Sequence, residues 1–328
     1  MYFYLTLIII SFIGVWIYLK FAIRAKIMDI PNARSSHTIP TPRGGGIAVA
    51  GAWFAAIGYM FFIGDSISSS LFYALLSGAI LVIAGIIDDV WNISPKIRLV
   101  AQLISAGLAL FFLGGMKRID LGFYTFENIW ILTPLAFITI IWFINLFNFL
   151  DGIDGYLSCE VIFITIVTGF IFKSGYALAL SSATLGFLFL NWPKAKIFMG
   201  DVGSTLLGFN IAIFAIYSQD TNICSMLVWV MLSSLFWFDA TLTLFRRFRN
   251  KEQLMVAHRK HAYQRIVQAG FSHQKTLFYS IGINIVILLL VLLSLKHKQL
   301  LGPMLVVNIL FLYAIDKLIG QRKPFLKG

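Results

Sequence analysis

The chain has 328 residues, of which 59% are hydrophobic and only 12% charged. A soluble domain carries about 25% charged residues, so the composition excludes an ordinary water-soluble globule, and the formal net charge of +12 reads as loop charge between apolar segments rather than as a nucleic-acid surface. The two cysteines, Cys159 and Cys224, show no CxxC or Cys/His spacing, which leaves neither a disulfide framework nor a zinc site.

Apolar runs near the length that crosses a bilayer, roughly 17–25 residues, recur along the chain. Eleven are read, near 2–21, 45–64, 70–87, 98–115, 130–149, 156–173, 176–191, 203–218, 223–245, 276–295 and 301–319. The expected fold class is therefore all-α, a polytopic transmembrane helical bundle of about eleven helices, with residues 1–328 forming one domain. The first run lacks a basic n-region and an A-x-A site, so it reads as a retained helix and not a signal peptide. Odd-numbered loops and the C-terminal tail hold 20 of the 26 Lys and Arg residues, and even-numbered loops hold five. The positive-inside rule then predicts cytoplasmic odd loops, an outside N-terminus and a cytoplasmic C-terminus.

The acids are few and placed unevenly. Asp88 and Asp89 end the third run, Asp151 and Asp154 follow the fifth in Asp151-Gly152-Ile153-Asp154-Gly155, and Asp201 precedes the eighth in Phe198-Met199-Gly200-Asp201. Each has a plain reading by itself: a solvated pair, a turn, a helix cap. Together they place five of fourteen acids at three helix ends on one expected face. Ionisable groups at membrane depth are costly and mark function, and clustered carboxylates of this kind suit Mg²⁺ completed by substrate phosphates. The same face carries Arg43-Gly44-Gly45-Gly46, where glycines opening a helix let backbone N–H groups approach a phosphate or let helices pack closely. It also carries the basic run His258-Arg259-Lys260-His261-Ala262-Tyr263-Gln264-Arg265, a candidate clamp for diphosphate oxygens. The residues point to a metal-dependent phosphoryl-group enzyme with a polyanionic soluble substrate and a second substrate arriving through lipid.

The order D-x-P-N-x-R-S-S-H-x-x-P-T-P-R-G-G-G, then D-D, then N-x-x-N-x-x-D-G-x-D-G, then F-M-G-D-x-G-S, then a His-bearing basic loop spans about Asp29 to His273. It resembles the polyprenyl-phosphate N-acetylhexosamine-1-phosphate transferases, the superfamily of MraY, WecA and TagO. The resemblance implies transfer of a sugar-1-phosphate from a UDP-sugar to undecaprenyl phosphate, with release of UMP and a requirement for Mg²⁺ (or Mn²⁺). It implies a multi-pass protein of the bacterial inner membrane with its active site facing the cytoplasm, and a homodimer. By matching position, Asp201 is implied as the principal Mg²⁺ carboxylate and Asn148 as a group near metal and nucleotide. Phe198 is implied to pack on the uracil, Asp151 and Asp154 to line the uridine and ribose pocket, and Asp88 and Asp89 to act on the lipid phosphate. Thr41, Arg43 and Gly44 border the nucleotide, and His258, His261, Gln264 and Arg265 are carried over as substrate-binding residues.

One departure from the family pattern is visible. A tight H-x-H-H cluster is replaced here by His261-Ala262-Tyr263-Gln264, a form that, with R-S-S-H and P-T-P-R-G-G-G, most resembles the WbpL-type enzymes that initiate O-antigen chains. UDP-GlcNAc and 6-deoxy donors such as UDP-FucNAc or UDP-QuiNAc are both compatible with that form. An MraY-like phospho-MurNAc-pentapeptide transferase is the alternative within the family. Direct attack of the lipid phosphate and a two-step route through an aspartyl phosphate both fit the residues. A transporter is the alternative outside the family; absent repeats, short outer loops and a lack of mid-helix charges speak against it. Asp239 and Arg246, one i+7 step apart, are expected to form a structural ion pair or polar packing.

Overall fold

The computed structural model describes residues 1–31, 39–64, 66–91, 93–254 and 258–325. The R-S-S-H segment of the first loop, with His37, lies outside the described residues. Helices dominate: α1 (Tyr2–Arg24), α2 (Gly46–Phe62), α3 (Ser69–Leu76), α4 (Ala79–Trp91), α5 (Pro95–Leu113), α6 (Ile129–Phe149), α7 (Tyr156–Ile171), α8 (Gly175–Asn191), α9 (Gly200–Asp220), α10 (Met226–Leu232), α11 (Ser234–Arg249), α12 (Ala262–Gln268), α13 (His273–Lys296) and α14 (Leu301–Arg322). Two short antiparallel ribbons, β1 (Met28–Asp29) with β2 (Thr41–Pro42) and β3 (Arg118–Asp120) with β4 (Thr125–Glu127), and a 3₁₀ turn at Lys298–Leu300 complete the described elements.

Seven helical stretches are long and apolar enough to cross a membrane, and the bent pair α10–α11 makes an eighth. The remaining three expected spans appear as the shorter apolar helices α2, α7 and α8, of 17, 16 and 17 residues, at the lower edge of spanning length. The chain is an all-α polytopic membrane protein.

Helix α9 is the axis of the bundle, with almost every residue from Val202 to Gln219 buried. Small residues explain how so many helices reach it. A Cβ on Gly46 of α2 would lie inside contact distance of the Gly203 backbone, and one on Gly85 of α4 would lie 2.8 Å from Val202 Cγ2. A Cβ on Gly208 would meet the Phe143 carbonyl of α6. Backbone approaches this close need glycine, and they draw the ends of α2, α4 and α6 together at the N-terminus of α9.

Two expected runs divide. The third breaks at Ser77-Gly78 and continues to Trp91, so Asp88 and Asp89 lie in the last turn of α4. The ninth run breaks at Ser233 with a bend of 74°. There Trp237 Nε1 donates to the Val230 carbonyl at 2.7 Å and Asn308 Nδ2 to Ser234 Oγ at 2.8 Å, supplying partners at the bend. The expected lack of charge within helices is also corrected. Glu160 of α7 is buried, accepting from Asn284 Nδ2 at 2.7 Å, and Asp239 of α11 and Asp316 of α14 are buried with partners of their own.

Candidate active site

The segment before α9 is sewn to the first loop by backbone hydrogen bonds. Phe198 N donates to Pro42 O at 2.8 Å, Gly45 N to Phe198 O at 2.9 Å and Gly46 N to Met199 O at 2.8 Å. Two of the glycine N–H groups are therefore used in holding the loop, and the glycine run acts here in close packing rather than as an open phosphate nest. Gly44 has φ +97°, a left-handed conformation, and a side chain there would run into the Tyr18 hydroxyl. Thr41 is buried, its hydroxyl donating to Ile39 O at 3.0 Å. Phe198 is half-buried, three residues before Asp201.

Asp201 lies in the first turn of α9, where the helix dipole favours a carboxylate. It is not the cap, since Met199 holds that position without a side-chain bond. Its partner is Arg98, which the sequence reading counted only as loop charge. Ser94 caps α5, accepting from Ile97 N, and Pro95 opens the helix. That start places Arg98 so that one nitrogen, Nη1, lies 3.2 Å from Asp88 Oδ2 and 3.2 Å from Asp201 Oδ2. One turn further along α5, Gln102 and Asn145 exchange amide hydrogen bonds of 3.3 and 2.8 Å, fixing α5 against α6. Arg43 Nε is 3.6 Å from Asp89 Oδ1. Asp89 Oδ2 is buried without a hydrogen-bond partner, as is Arg43 Nε.

Asn148, at the end of α6, accepts from Ser204 Oγ of α9 at 2.8 Å. Turning the amide by 180° lets Ser204 accept instead and presents the Asn148 oxygen outward. Asp151 follows. Its burial, reinforced by the charges of Asp201 and Asp154, pushes its carboxyl up to about 7. Asp154 behaves oppositely. Burial raises it, but a hydrogen bond and charge from His273, with the Ala195 and Lys194 N–H groups, outweigh that and hold it below the ordinary range. His273 Nδ1 lies 3.2 Å from Asp154 Oδ2, and the two N–H groups donate at 3.1 and 3.3 Å. Asp154 thus braces the turn to α13 and to the segment before α9, a different task from an open catalytic carboxylate.

The basic loop is the main revision. Arg265 is buried on Asp316, which also receives Arg246 at 3.0 Å, and Arg265 donates to Lys323 O at 3.3 Å. Its guanidinium is held in the α11–α12–α14 junction and not presented to the acids. Lys260 pairs with Glu252 at 2.8 Å. His261 is buried beside Asp239 at 3.7 Å, and Gln264 accepts from the His261 N–H at 3.3 Å in a capping box for α12. Asp239 takes the Ala262 N–H at 2.8 Å, so of its two expected roles it fills polar packing, as an anchor for α12, and Arg246 pairs with Asp316 instead. His258 is pushed down to about 4 by burial first and then by the charges around it, Arg247 and Lys260 among them, despite Asp239, so it is neutral near pH 7 in the unliganded protein. The contact from this loop to the acid cluster runs through Tyr263, whose hydroxyl donates to Phe149 O at 3.3 Å and closes over Gly152.

The structure therefore brings Asp88, Asp89, Asp201, Arg43 and Arg98 together, with Asn148 and Asp151 alongside. Arg98, His273 and Ser204 were given no role by the sequence reading, and Tyr263 entered it only as part of the basic run. Only the placement of Arg98 in an odd loop, on the face expected for the acids, hinted at it. Among the described residues no three His, Cys, Asp or Glu side chains cage a metal. Mg²⁺ does not ask for a cage; one or two carboxylates with phosphate and water suffice. Asp88 and Asp201, near enough to share one Arg98 nitrogen, and a buried unpartnered Asp89 oxygen supply carboxylates in that number.

The chain is similar in sequence to known proteins. Residues 71–219 match the model of glycosyl transferase family 4. A Bacillus subtilis (strain 168) protein named "Probable undecaprenyl-phosphate N-acetylglucosaminyl 1-phosphate transferase" is 29% identical, covering 94% of this chain and 90% of its own. The Escherichia coli (strain K12) undecaprenyl-phosphate alpha-N-acetylglucosaminyl 1-phosphate transferase is 30% identical over 78% of this chain and 73% of its own. The Mycobacterium leprae decaprenyl-phosphate N-acetylglucosaminephosphotransferase is 27% identical over 83% and 77%.

Proposed function

We propose, from the premise that the chain belongs to glycosyl transferase family 4, that it transfers N-acetylglucosamine-1-phosphate from UDP-GlcNAc to undecaprenyl phosphate. The products are the lipid-diphosphate sugar and UMP, at the start of a cell-envelope polysaccharide. The polyprenyl acceptor and the N-acetylglucosaminyl group are supported by the relatives' names. These favour GlcNAc over the 6-deoxy donors and over a muramoyl-pentapeptide donor. The observation that carries the reading is the meeting of α4, α5 and α9 at Asp88, Arg98 and Asp201.

An oxygen of the acceptor phosphate forms a bond to the β-phosphorus of UDP-GlcNAc, and the bond from that phosphorus to the bridging oxygen breaks, so UMP departs with the electron pair. A phosphomonoester's second pKa is about 6, so at neutral pH the nucleophile needs little deprotonation. Asp88 and Asp89 then orient rather than abstract. Arg98 and Arg43 offset the repulsion between these carboxylates and incoming phosphates, and Arg98 is free to turn from Asp88 to a phosphate oxygen. Asp201, with Asp88 and the amide of Asn148, would hold Mg²⁺, which when bound supplies charge neutralisation on the diphosphate. Phe198 and Asp151 stand beside this centre on the nucleotide side.

UMP release in detergent, with undecaprenyl phosphate, UDP-GlcNAc and Mg²⁺, tests the reading. Asp201→Asn should lower turnover by about 10²-fold or more, the scale of losing one electrostatic contact to the transition state, with folded protein retained. Removing divalent cations with EDTA should abolish release, and Mg²⁺ or Mn²⁺ should restore it. Absence of UMP release with every UDP-N-acetylhexosamine offered would remove the proposal.

A further inference from the structure

At the far end of α9 from Asp201 lies a second polar cavity. The helix has 21 residues, so its two ends stand about 30 Å apart at 1.5 Å per residue. The cavity measures about 190 Å³ and lies among the ribbon β3–β4, the end of α9 and the α13–α14 connection. Water occupies about 30 Å³, so this space exceeds a single bridging water several-fold.

Its lining carries both signs of charge without pairing them. Asp120 and Lys298 both line the cavity, and neither forms an ion pair among the described residues. Asp120 Oδ1 accepts only the Gly122 N–H at 2.8 Å. The 120–122 turn nevertheless touches the Lys298 backbone, since a Cβ on Gly122 would collide with the Lys298 carbonyl. Gln219 supplies a donor. It is 2% exposed, and its Oε1 accepts from Asp120 N at 3.2 Å and Met226 N at 2.9 Å, while its amide nitrogen has no partner among the described residues. Phe172, Leu295 and Leu301 complete the wall with apolar surface. The Gln219 amide N–H is left to take an acceptor, and a half-buried carboxylate and a solvent-exposed lysine that line one cavity without pairing favour a ligand that brings the opposite charge to each.

We propose that this cavity binds a phosphoethanolamine group, its phosphate meeting Lys298 and the Gln219 amide N–H and its ammonium meeting Asp120. A phospholipid headgroup is one source of that chemistry, because the apolar wall offers a path for acyl chains; a soluble phosphoethanolamine is the other. The inference is independent of the transferase reading.

The test is native mass spectrometry of the delipidated full chain in detergent, titrated with dimyristoyl-phosphatidylethanolamine, dimyristoyl-phosphatidylglycerol, soluble phosphoethanolamine and inorganic phosphate. The ethanolamine lipid should bind at least tenfold more tightly than the glycerol lipid. Lys298→Gln should weaken it about tenfold. Gln219→Glu, which keeps an acceptor oxygen for both backbone N–H groups and puts a repelling carboxylate where the donor was, should weaken it at least as much. Asp120→Asn, which keeps the Gly122 bond, should reduce the preference for ethanolamine over glycerol. Unchanged melting temperatures exclude misfolding as the cause. Capture of soluble phosphoethanolamine without lipid, lost in Lys298→Gln, supports the site and assigns its source. Equal binding of the two lipids by the wild type, binding of inorganic phosphate alone, or indifference to Lys298→Gln and Gln219→Glu each overturns the proposal.

Discussion

Arg98 divides one guanidinium nitrogen between Asp88 and Asp201, at 3.2 Å from each. Removing it leaves two half-buried carboxylates facing each other, so Arg98→Met should reduce UMP release by about 10²-fold or more. Arg98→Lys should recover only part, because a point charge reproduces the planar guanidinium poorly. Two neighbouring acids make opposite pH statements. Asp151 is raised from 3.8 to about 7, so its contribution to stability is full below about pH 4 and is lost as pH rises through about 7. Asp154 is lowered, so its contribution is present above the ordinary carboxyl range and is lost as pH falls through its depressed value. In EDTA, Asp151→Asn should therefore raise the melting temperature relative to wild type at pH 8, by about 2–4 °C per kcal/mol regained, and should not do so at pH 4. Asp154→Asn should instead flatten the acid limb. The acids themselves were legible in the sequence, because a carboxylate in an apolar setting is costly enough to stand out. Arg98 was not, because its second partner lies 103 residues away and loop cations are ordinary. Arg265 misled for the converse reason: its partner Asp316 sits inside a helix, where local pattern gives no warning of a buried pair.

Among the helices, the long apolar ones were plain from hydropathy, and most of their boundaries fall close to those expected. Hydropathy failed where a helix is continued or broken by groups distant in sequence. Helix α4 runs on through Asp88 and Asp89 where Arg98 and Arg43 receive their charges. The bend at Ser233 is sustained by Trp237 and by Asn308 from α14. Close packing at α9 is the most sensitive element-level feature. Gly46→Ala places a Cβ against the Gly203 backbone, and overpacking of this kind is unfavourable by about 1–3 kcal/mol. A thermal melt should register that loss, and turnover should fall with it, since Gly45 and Gly46 hold the loop bearing Arg43. The basic loop has a separate support in Phe325, whose ring meets Arg246, Lys260 and Arg265 at 5.4, 5.5 and 5.9 Å. Phe325→Leu keeps apolar bulk but removes the ring face that attracts cations. Amide exchange should then quicken across Ala262–Gln268, whereas Phe325→Tyr should leave it slow.

For the molecule as a whole, the Lys and Arg distribution sets an expectation that labelling can check. In a chain with Cys159 and Cys224 replaced by Ala, Lys96→Cys should react with impermeant maleimide only from the cytoplasmic side, and Tyr124→Cys only from the other. The reverse pattern would place the acid cluster away from the cytoplasm, where UDP-sugars are found, and would contradict the transferase reading. Such an orientation is also decided during synthesis, and here the lacing of the first loop to the segment before α9 has a consequence for biogenesis. Gly45 and Gly46 find their acceptors only at Phe198 and Met199, nearly half the chain later. Chains grow from the N-terminus, so α2, α4 and α5 enter the bilayer while the helix that organises them is still unmade. A nascent chain stalled before α9 presents unpartnered N–H groups and exposed glycine faces at the interface. Release of α9 is the step that closes that window.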